Sequence, residues 1–220
     1  MRSYRQYCPI AHALDLVGDR WALLVVRDLV LGPKCFSDLG HGLPGIGTNV
    51  LTDRLKGLER AGIIRRRVLP PPAASAVYEL TERGHALEGV MVGLAAWGGR
   101  SLGPRRPTDS VSVDSALLAL RAVFGRLGEH DRRGVFAIRI DDPAVTVGVV
   151  VDDAGVHVSR ESVAAPDAVI AFGLDTLYAV ASGSVSMTEA IRTGSVRIDG
   201  APEWLAGFGG GPTTGPAPDR

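Results

Sequence analysis

FSDLGHGLPGIGTNVLTDRLKGLERAGIIRRR, residues 36–67, decides the fold of the first half of the chain. A short helix is expected over Phe36–His41, and Leu43-Pro44-Gly45 makes a tight turn. Thr48 suits the N-cap of a helix running to Arg60, with Leu51, Leu55 and Leu58 facing inward and Ala61-Gly62 closing it. Two strand-like runs follow, Ile63–Leu69 and Ala76–Thr81, joined by the Pro-rich loop 70–75. A short helix, a tight turn, a capped helix and a hairpin, in that order, make a helix-turn-helix with a wing. Gly40 and Gly42 weaken the short helix, because glycine costs about 1 kcal/mol in a helix interior.

Upstream, Pro9 suits the first turn of a helix whose apolar face is Ile10, Ala13, Leu14 and Val17, ended by Gly18. Asp19 can cap a second helix, Arg20 to Leu31, which is apolar on most sides and belongs in the core. Downstream, one long helix is expected from about Glu82 to Trp97, striped by Leu87, Val90, Met91, Leu94 and Trp97.

The chain has 220 residues, enough for one large or two small domains, and equal numbers of basic and acidic side chains, 24 each. That balance hides a split. Residues 1–106 carry 15 Lys/Arg against 9 Asp/Glu, a net of +6, and residues 107–220 carry 9 against 15, a net of −6. Two modules with different partners are implied, one of them suited to a polyanion. The segment Gly98–Ser110, GGRSLGPRRPTDS, sits at the crossover and reads as a linker. The expected division is a winged helix-turn-helix domain over 1–100, a linker over 101–110, a second domain over 111–208 and a mobile tail over 209–220. A hydrophobic content of 45% excludes wholesale disorder. No apolar run is long enough for a membrane span, and the first ten residues lack the apolar core of a secretion signal, so a soluble cytoplasmic protein is expected.

A helix entering the major groove needs an apolar inner face and a polar outer one. Over 48–60 the outward positions are Asn49, Thr52, Asp53, Lys56 and Arg60. Asn49 and Thr52, in the first turns, are placed for base edges, and Lys56 and Arg60 for phosphates. On the wing, Arg65 and Arg67 share one face and Arg66 takes the other, as strand alternation requires. Three arginines beside a groove-reading helix suit backbone or minor-groove contact with double-stranded DNA.

The motifs CPI, DLVGDRW, FSDL, LPGI, LTDRLKGLE and YELT, between Tyr7 and Trp97, closely resemble those of the HxlR-type winged-helix transcription regulators in order and spacing. The resemblance implies a homodimeric regulator, a repressor or an activator, on a palindromic operator. It implies a dimer formed through the N-terminal segment and the long helix after the wing, and DNA contacts at Thr48, Asn49, Thr52 and Arg54, although helical periodicity puts Arg54 nearer the core edge. The wing tip departs from the pattern, because PPPAASA carries no basic residue.

Cys8 stands at the start of the first helix with Arg5 nearby in sequence, a setting that lowers a thiol pKa. By resemblance the matching cysteine of some HxlR-type regulators senses oxidants, so Cys8 is the redox candidate; a packed thiol at a dimer contact is the plainer reading. Cys35, beside Phe36, is expected to pack. The five histidines are scattered, with no metal-ligand spacing, and neither a metal nor a cofactor is expected.

The second half changes period. Ser112–Leu127 is an amphipathic helix with Leu117, Leu120, Phe124 and Leu127 inward. Strands are expected at Val135–Ile140, Ala144–Val151, Val156–Glu161, Ala168–Phe172 and Ser195–Asp199, with Val145, Val147, Val149 and Val151 on one face of the second. Short helices are expected at Leu174–Ala181 and Ser186–Arg192, and a last apolar element at Glu203–Phe208. No phosphate loop, nucleophile elbow or placed carboxylate pair is present, so an enzyme is not expected. The segment FGLDTLYAVASGSVSMTEAIRTGSVRIDG, residues 172–200, resembles the sterol carrier protein fold, which implies an apolar binding cavity lined here by Phe172, Leu177, Tyr178, Met187 and Trp204. The fold class is therefore α+β: a winged helix-turn-helix followed by a sterol-carrier-like domain with a five-stranded, mostly antiparallel sheet. The function expected is a DNA-binding transcription regulator, a dimeric repressor, whose second domain senses an apolar ligand. The alternatives are a regulator responding through Cys8 oxidation, or a lipid-binding protein with a degenerate winged helix.

Overall fold

The computed structural model describes residues 3–71, 74–128, 133–142 and 144–200. Trp204, the expected element at 203–208 and the tail 209–220 lie outside these residues. The chain forms two compact units. Met1–Gly98 and Arg105–Ala119 make the first, and Gly99–Pro104 with Leu120–Arg220 the second. No helix among the described residues is long and apolar enough to cross a membrane.

The first unit contains α1 (Pro9–Val17), α2 (Ala22–Leu29), β1 (Lys34–Cys35), α3 (Phe36–Gly42), α4 (Thr48–Arg60), β2 (Ile64–Val68), β3 (Ala76–Leu80), α5 (Glu82–His85), α6 (Leu87–Gly99), and the start of α7 (Val113–Gly128). Its antiparallel sheet runs β1-β3-β2, with Lys34 opposite Tyr78 and Ile64 opposite Leu80. Val25, Val26 and Leu29 of α2, Leu39 and Leu43 at α3, and Leu51, Leu55 and Leu58 of α4 pack in one cluster, joined by Leu118 of α7. Each such side chain contributes about 1.5–3 kcal/mol on burial, which is what holds the two helices of the turn motif together.

Several expectations change here. The second helix starts two residues late, at Ala22, because Trp21 sits in left-handed backbone at φ 79°. Asp19 does not cap it; its carboxylate pairs with Arg54 instead. The strand β1 is new, since two residues carry no readable period. The long helix breaks at Ala86 into α5 and α6, and the Thr81 hydroxyl caps α5 by accepting from the Gly84 N–H at 3.2 Å. Of the apolar stripe of α1 only Val17 is buried in the chain: Ile10 is 71% and Leu14 45% exposed. On α6 only Met91 of the expected stripe is buried, whereas Val90, Leu94 and Trp97 are exposed.

The second unit holds the rest of α7, β4 (Gly134–Asp141), β5 (Ala144–Asp152), β6 (Gly155–Ser159), β7 (Ala168–Phe172), α8 (Leu174–Ser182), α9 (Met187–Arg192) and β8 (Val196–Gly200). Its sheet runs β6-β5-β4-β7-β8 and is mixed: β4 and β7 are parallel, and the other three pairs antiparallel. Val147, Val149 and Val151 are buried, as the valine alternation requires, with Phe136 buried opposite Val149 and Ile138 opposite Val147; Val145, opposite the buried Ile140, is half-buried. The rings of Phe124 and Phe136 lie 5.3 Å apart at 50°. Gly148 turns to the other face, where its N–H donates to the Glu161 carbonyl at 3.0 Å and a Cβ would lie 2.5 Å from Val163 Cγ1. Leu127 lies outside the residues whose side chains are described.

Candidate nucleic-acid interface

The helix α4 is positioned by its leucines, and its opposite side is what remains for a partner. Gly47, extended at ψ 146°, is the N-cap and Thr48 the first helical residue, so Thr48 is not the cap expected from sequence. Thr48, Asn49, Asp53, Lys56 and Arg60 are exposed and Thr52 is half-buried. The Thr52 hydroxyl donates to the Thr48 carbonyl at 2.9 Å, which leaves its oxygen free to accept. Arg60 Nε donates to the Lys56 carbonyl at 3.2 Å, and Arg83 Nη1 donates to the Ala61 carbonyl at 2.8 Å, so two cations satisfy carbonyls at the end of the helix. Val50 is 40% exposed beside Asn49 and was missed by the polar reading of this face; an apolar side chain there suits a thymine methyl.

Arg54 does not share that surface. Its guanidinium pairs with Asp19, and its Nε is buried with no acceptor among the described residues. It ties α4 to the chain just before α2. The wing arginines divide as strand alternation predicts. Arg65 Nε donates to Glu79 at 2.7 Å and Arg67 Nε to the same carboxylate at 3.0 Å. These two hydrogen bonds, that of Arg65 first, hold the Glu79 carboxyl below its usual range. Arg66 makes no ion pair with a described residue and is exposed. Glu79 was overlooked in the sequence, although the hairpin register Arg65↔Glu79 would have found it.

The turn between α3 and α4 rests on a buried carboxylate. Asp28 of α2 is fully buried; its Oδ1 accepts from Arg27 Nε at 2.8 Å, and its Oδ2 has no partner among the described residues. Burial pushes its pKa up; the Arg27 charge and hydrogen bond oppose this, the Asp114 charge adds to it, and Lys34 opposes it. A Cβ at Gly42 would lie 2.5 Å from Asp28 Oδ2. Glycine, read from sequence as a weakness in α3, is what lets the helix end over this carboxylate.

Cys8, half-buried, precedes α1 in extended backbone at φ −143°. Cys35 precedes α3: its N–H donates to Asp38 at 3.3 Å, and its Sγ shares a 2.9 Å hydrogen bond with Ser37 Oγ. Hydrogen bonding to the Asp38 carboxyl from the Cys35 thiol first, and from the Cys35 N–H, holds that carboxyl below its usual range. In the second unit Phe172, Leu177 and Met187 are buried and Tyr178 is half-buried, while Trp204 is outside the described residues. No group of three His, Cys, Asp or Glu suited to a metal occurs among the described residues.

Residues 16–106 match the family of HxlR-like helix-turn-helix proteins, and residues 130–207 match the SCP-2 sterol transfer family. The HTH-type transcriptional regulator YodB of Bacillus subtilis (strain 168) is 40% identical over 91 residues, which are 41% of this chain and 81% of that protein. An uncharacterized HTH-type transcriptional regulator of the same organism, YvaP, is 34% identical over 93 residues, 42% of this chain and 86% of its own. The solved structure of the reduced form of YodB covers 46% of this chain and 100% of that one, with 36% identity and a TM-score of 0.40. The chain belongs to the HxlR-like helix-turn-helix family. It is a DNA-binding transcription regulator of the helix-turn-helix type, with an SCP-2 module at its C-terminal end.

Proposed function

We propose that the regulator is a homodimeric, cytoplasmic repressor, without enzymatic activity, that reads a palindromic operator and answers to an apolar ligand held by its second unit. The exposed polar face of α4, with Arg66, which makes no ion pair among the described residues, carries this reading. Asn49 and Thr52 read base edges there, and Thr48, Lys56 and Arg66 hold phosphates, with Arg65 and Arg67 partly neutralised by Glu79. The exposed apolar residues of α1 and α6 support the dimer: Ile10, Leu14, Val90, Leu94 and Trp97 bury apolar area only if a second copy covers them. The SCP-2 match supports an apolar ligand, with Phe172, Leu177, Tyr178 and Met187 as its lining. Ligand control requires that the ligand distinguish two states of the protein.

The test is fluorescence anisotropy of the full chain on DNA from upstream of its own gene, beside scrambled DNA, across salt. Tight, sequence-dependent binding with a log-log salt slope of about −0.9 per phosphate contact is expected. Equal, weak binding to both DNAs would overturn the operator reading and favour the lipid-binding alternative.

A second reading rests on the partial exposure of Cys8 at the helix start. If the thiol is the sensor, Cys8→Ser abolishes the response of DNA binding to oxidant. An unchanged response removes Cys8 from the mechanism.

A further inference from the structure

Residues 107–129 fall between the two family matches, yet Arg105–Ala119 packs as part of the winged-helix unit. Two side chains account for this. Leu118, 6% exposed, joins the core cluster that contains Leu39 and Leu43 of the turn motif. Asp114 Oδ2 lies 2.9 Å from Lys34 Nζ, with the two side chains only 7% and 17% exposed. Lys34 begins β1, and Cys35 beside it is the N-cap of α3. At the other end of α3, Gly42 closes over Asp28. The first helix of the turn motif is thus held at its start by the Lys34–Asp114 pair and at its end by the Asp28–Gly42 contact. The four charged groups, Arg27, Asp28, Lys34 and Asp114, balance in sign.

We propose that Asp114 is a positioning residue for DNA binding: through Lys34 it fixes β1 and the start of α3, so residues 105–119 are a working part of the DNA-binding unit rather than a tether. The chemistry favours position over stability. A buried ion pair adds little net stability over an apolar pair of similar volume, but removing one partner strands the other charge, and the pair has one good geometry.

The experiment follows backbone hydrogen exchange in the full chain, with DNA binding alongside. Asp114→Asn should speed exchange of the amides at 35–43 about tenfold and leave the β2 amides at 64–68 unchanged. It should also weaken binding to DNA from upstream of the gene about fivefold, with the salt slope kept, since no phosphate contact is lost. The charge swap Lys34→Asp with Asp114→Lys should recover both. Should Asp114→Asn fail to fold, the apolar double variant Lys34→Met with Asp114→Leu decides: a wild-type Tm with fast exchange at 35–43 supports the proposal. Wild-type exchange at 35–43 in either variant overturns it, as does a uniform rise across the unit or local loosening with unchanged affinity. The affinity arm rests on the operator reading above. If the wild-type protein ignores this DNA, that reading has failed, and the exchange arm alone decides the positioning role.

Discussion

The two units treat their apolar residues in opposite ways. In the first, Tyr7, Ile10, Leu14, Val50, Val68, Val90, Leu94 and Trp97 are all exposed. In the second, Leu102 is the one large apolar side chain left exposed among the described residues. Composition does not explain the contrast, since both units have well-filled cores. The proposed dimer accounts for the difference: apolar side chains left outside the first unit would be covered by a second copy. For the winged helix Ile10 and Leu14 lie on α1 and Val90, Leu94 and Trp97 on α6, whereas Val50 lies on α4 beside Asn49 and Val68 on β2. On the proposed function, two partners are provided for, a second copy on α1 and α6 and DNA on α4.

The largest expected effect is in the closed unit. Phe136→Ala removes a ring packed against Phe124 and should cost about 3–5 kcal/mol, read as loss of the second unit's unfolding transition in denaturant with specific DNA binding retained. Loss of DNA binding as well would break the division of labour. Next is the open unit. Trp97→Asp should weaken self-association by about 2 kcal/mol or more, seen by sedimentation, without lowering helix content. An unchanged oligomeric state would mean that the exposed stripe serves another partner.

The α4 face should give smaller effects of two kinds. Asn49→Ala should cost about 1–3 kcal/mol on operator DNA and little on scrambled DNA, whereas Arg66→Ala should weaken both and reduce the salt slope by about one. If Asn49→Ala weakens both DNAs equally, the helix is not reading bases.

The smallest effect is in pH. Asp28 has a raised folded-state pKa, so its protonation favours the fold. That contribution is full below the ordinary value of 3.8 and is lost as pH rises through the folded-state value. The Tm advantage of Asp28→Asn over wild type should therefore grow as pH rises from 4 towards neutrality. An advantage that shrinks over this interval would mean that Arg27 and Lys34 outweigh burial.

The parts of this molecule legible in the sequence are those where one period dominates. Leu51, Leu55 and Leu58 repeat at helical spacing and all three are buried; the valines of β5 alternate and face the core. The wing and the isolation of Arg66 follow from strand alternation. Less was legible where a side chain's role depends on a residue far away. The pairing of Glu79 with Arg65 and Arg67 needs the hairpin register, and that of Lys34 with Asp114 spans eighty residues of sequence.

The amino-acid sequence by itself determined the order of helices and strands, the apolar spacing that pulls α4 onto α2, and the split of charge between the halves. These are local properties, set by backbone periodicity and side-chain type. The tertiary structure alone decided which apolar stripes are covered, where the mixed sheet becomes parallel, and that Gly42 makes room for Asp28. Periodicity states that a helix has an apolar face but carries no information about what meets it. Only the packed chain shows that Leu51 finds a core while Ile10 and Trp97 do not.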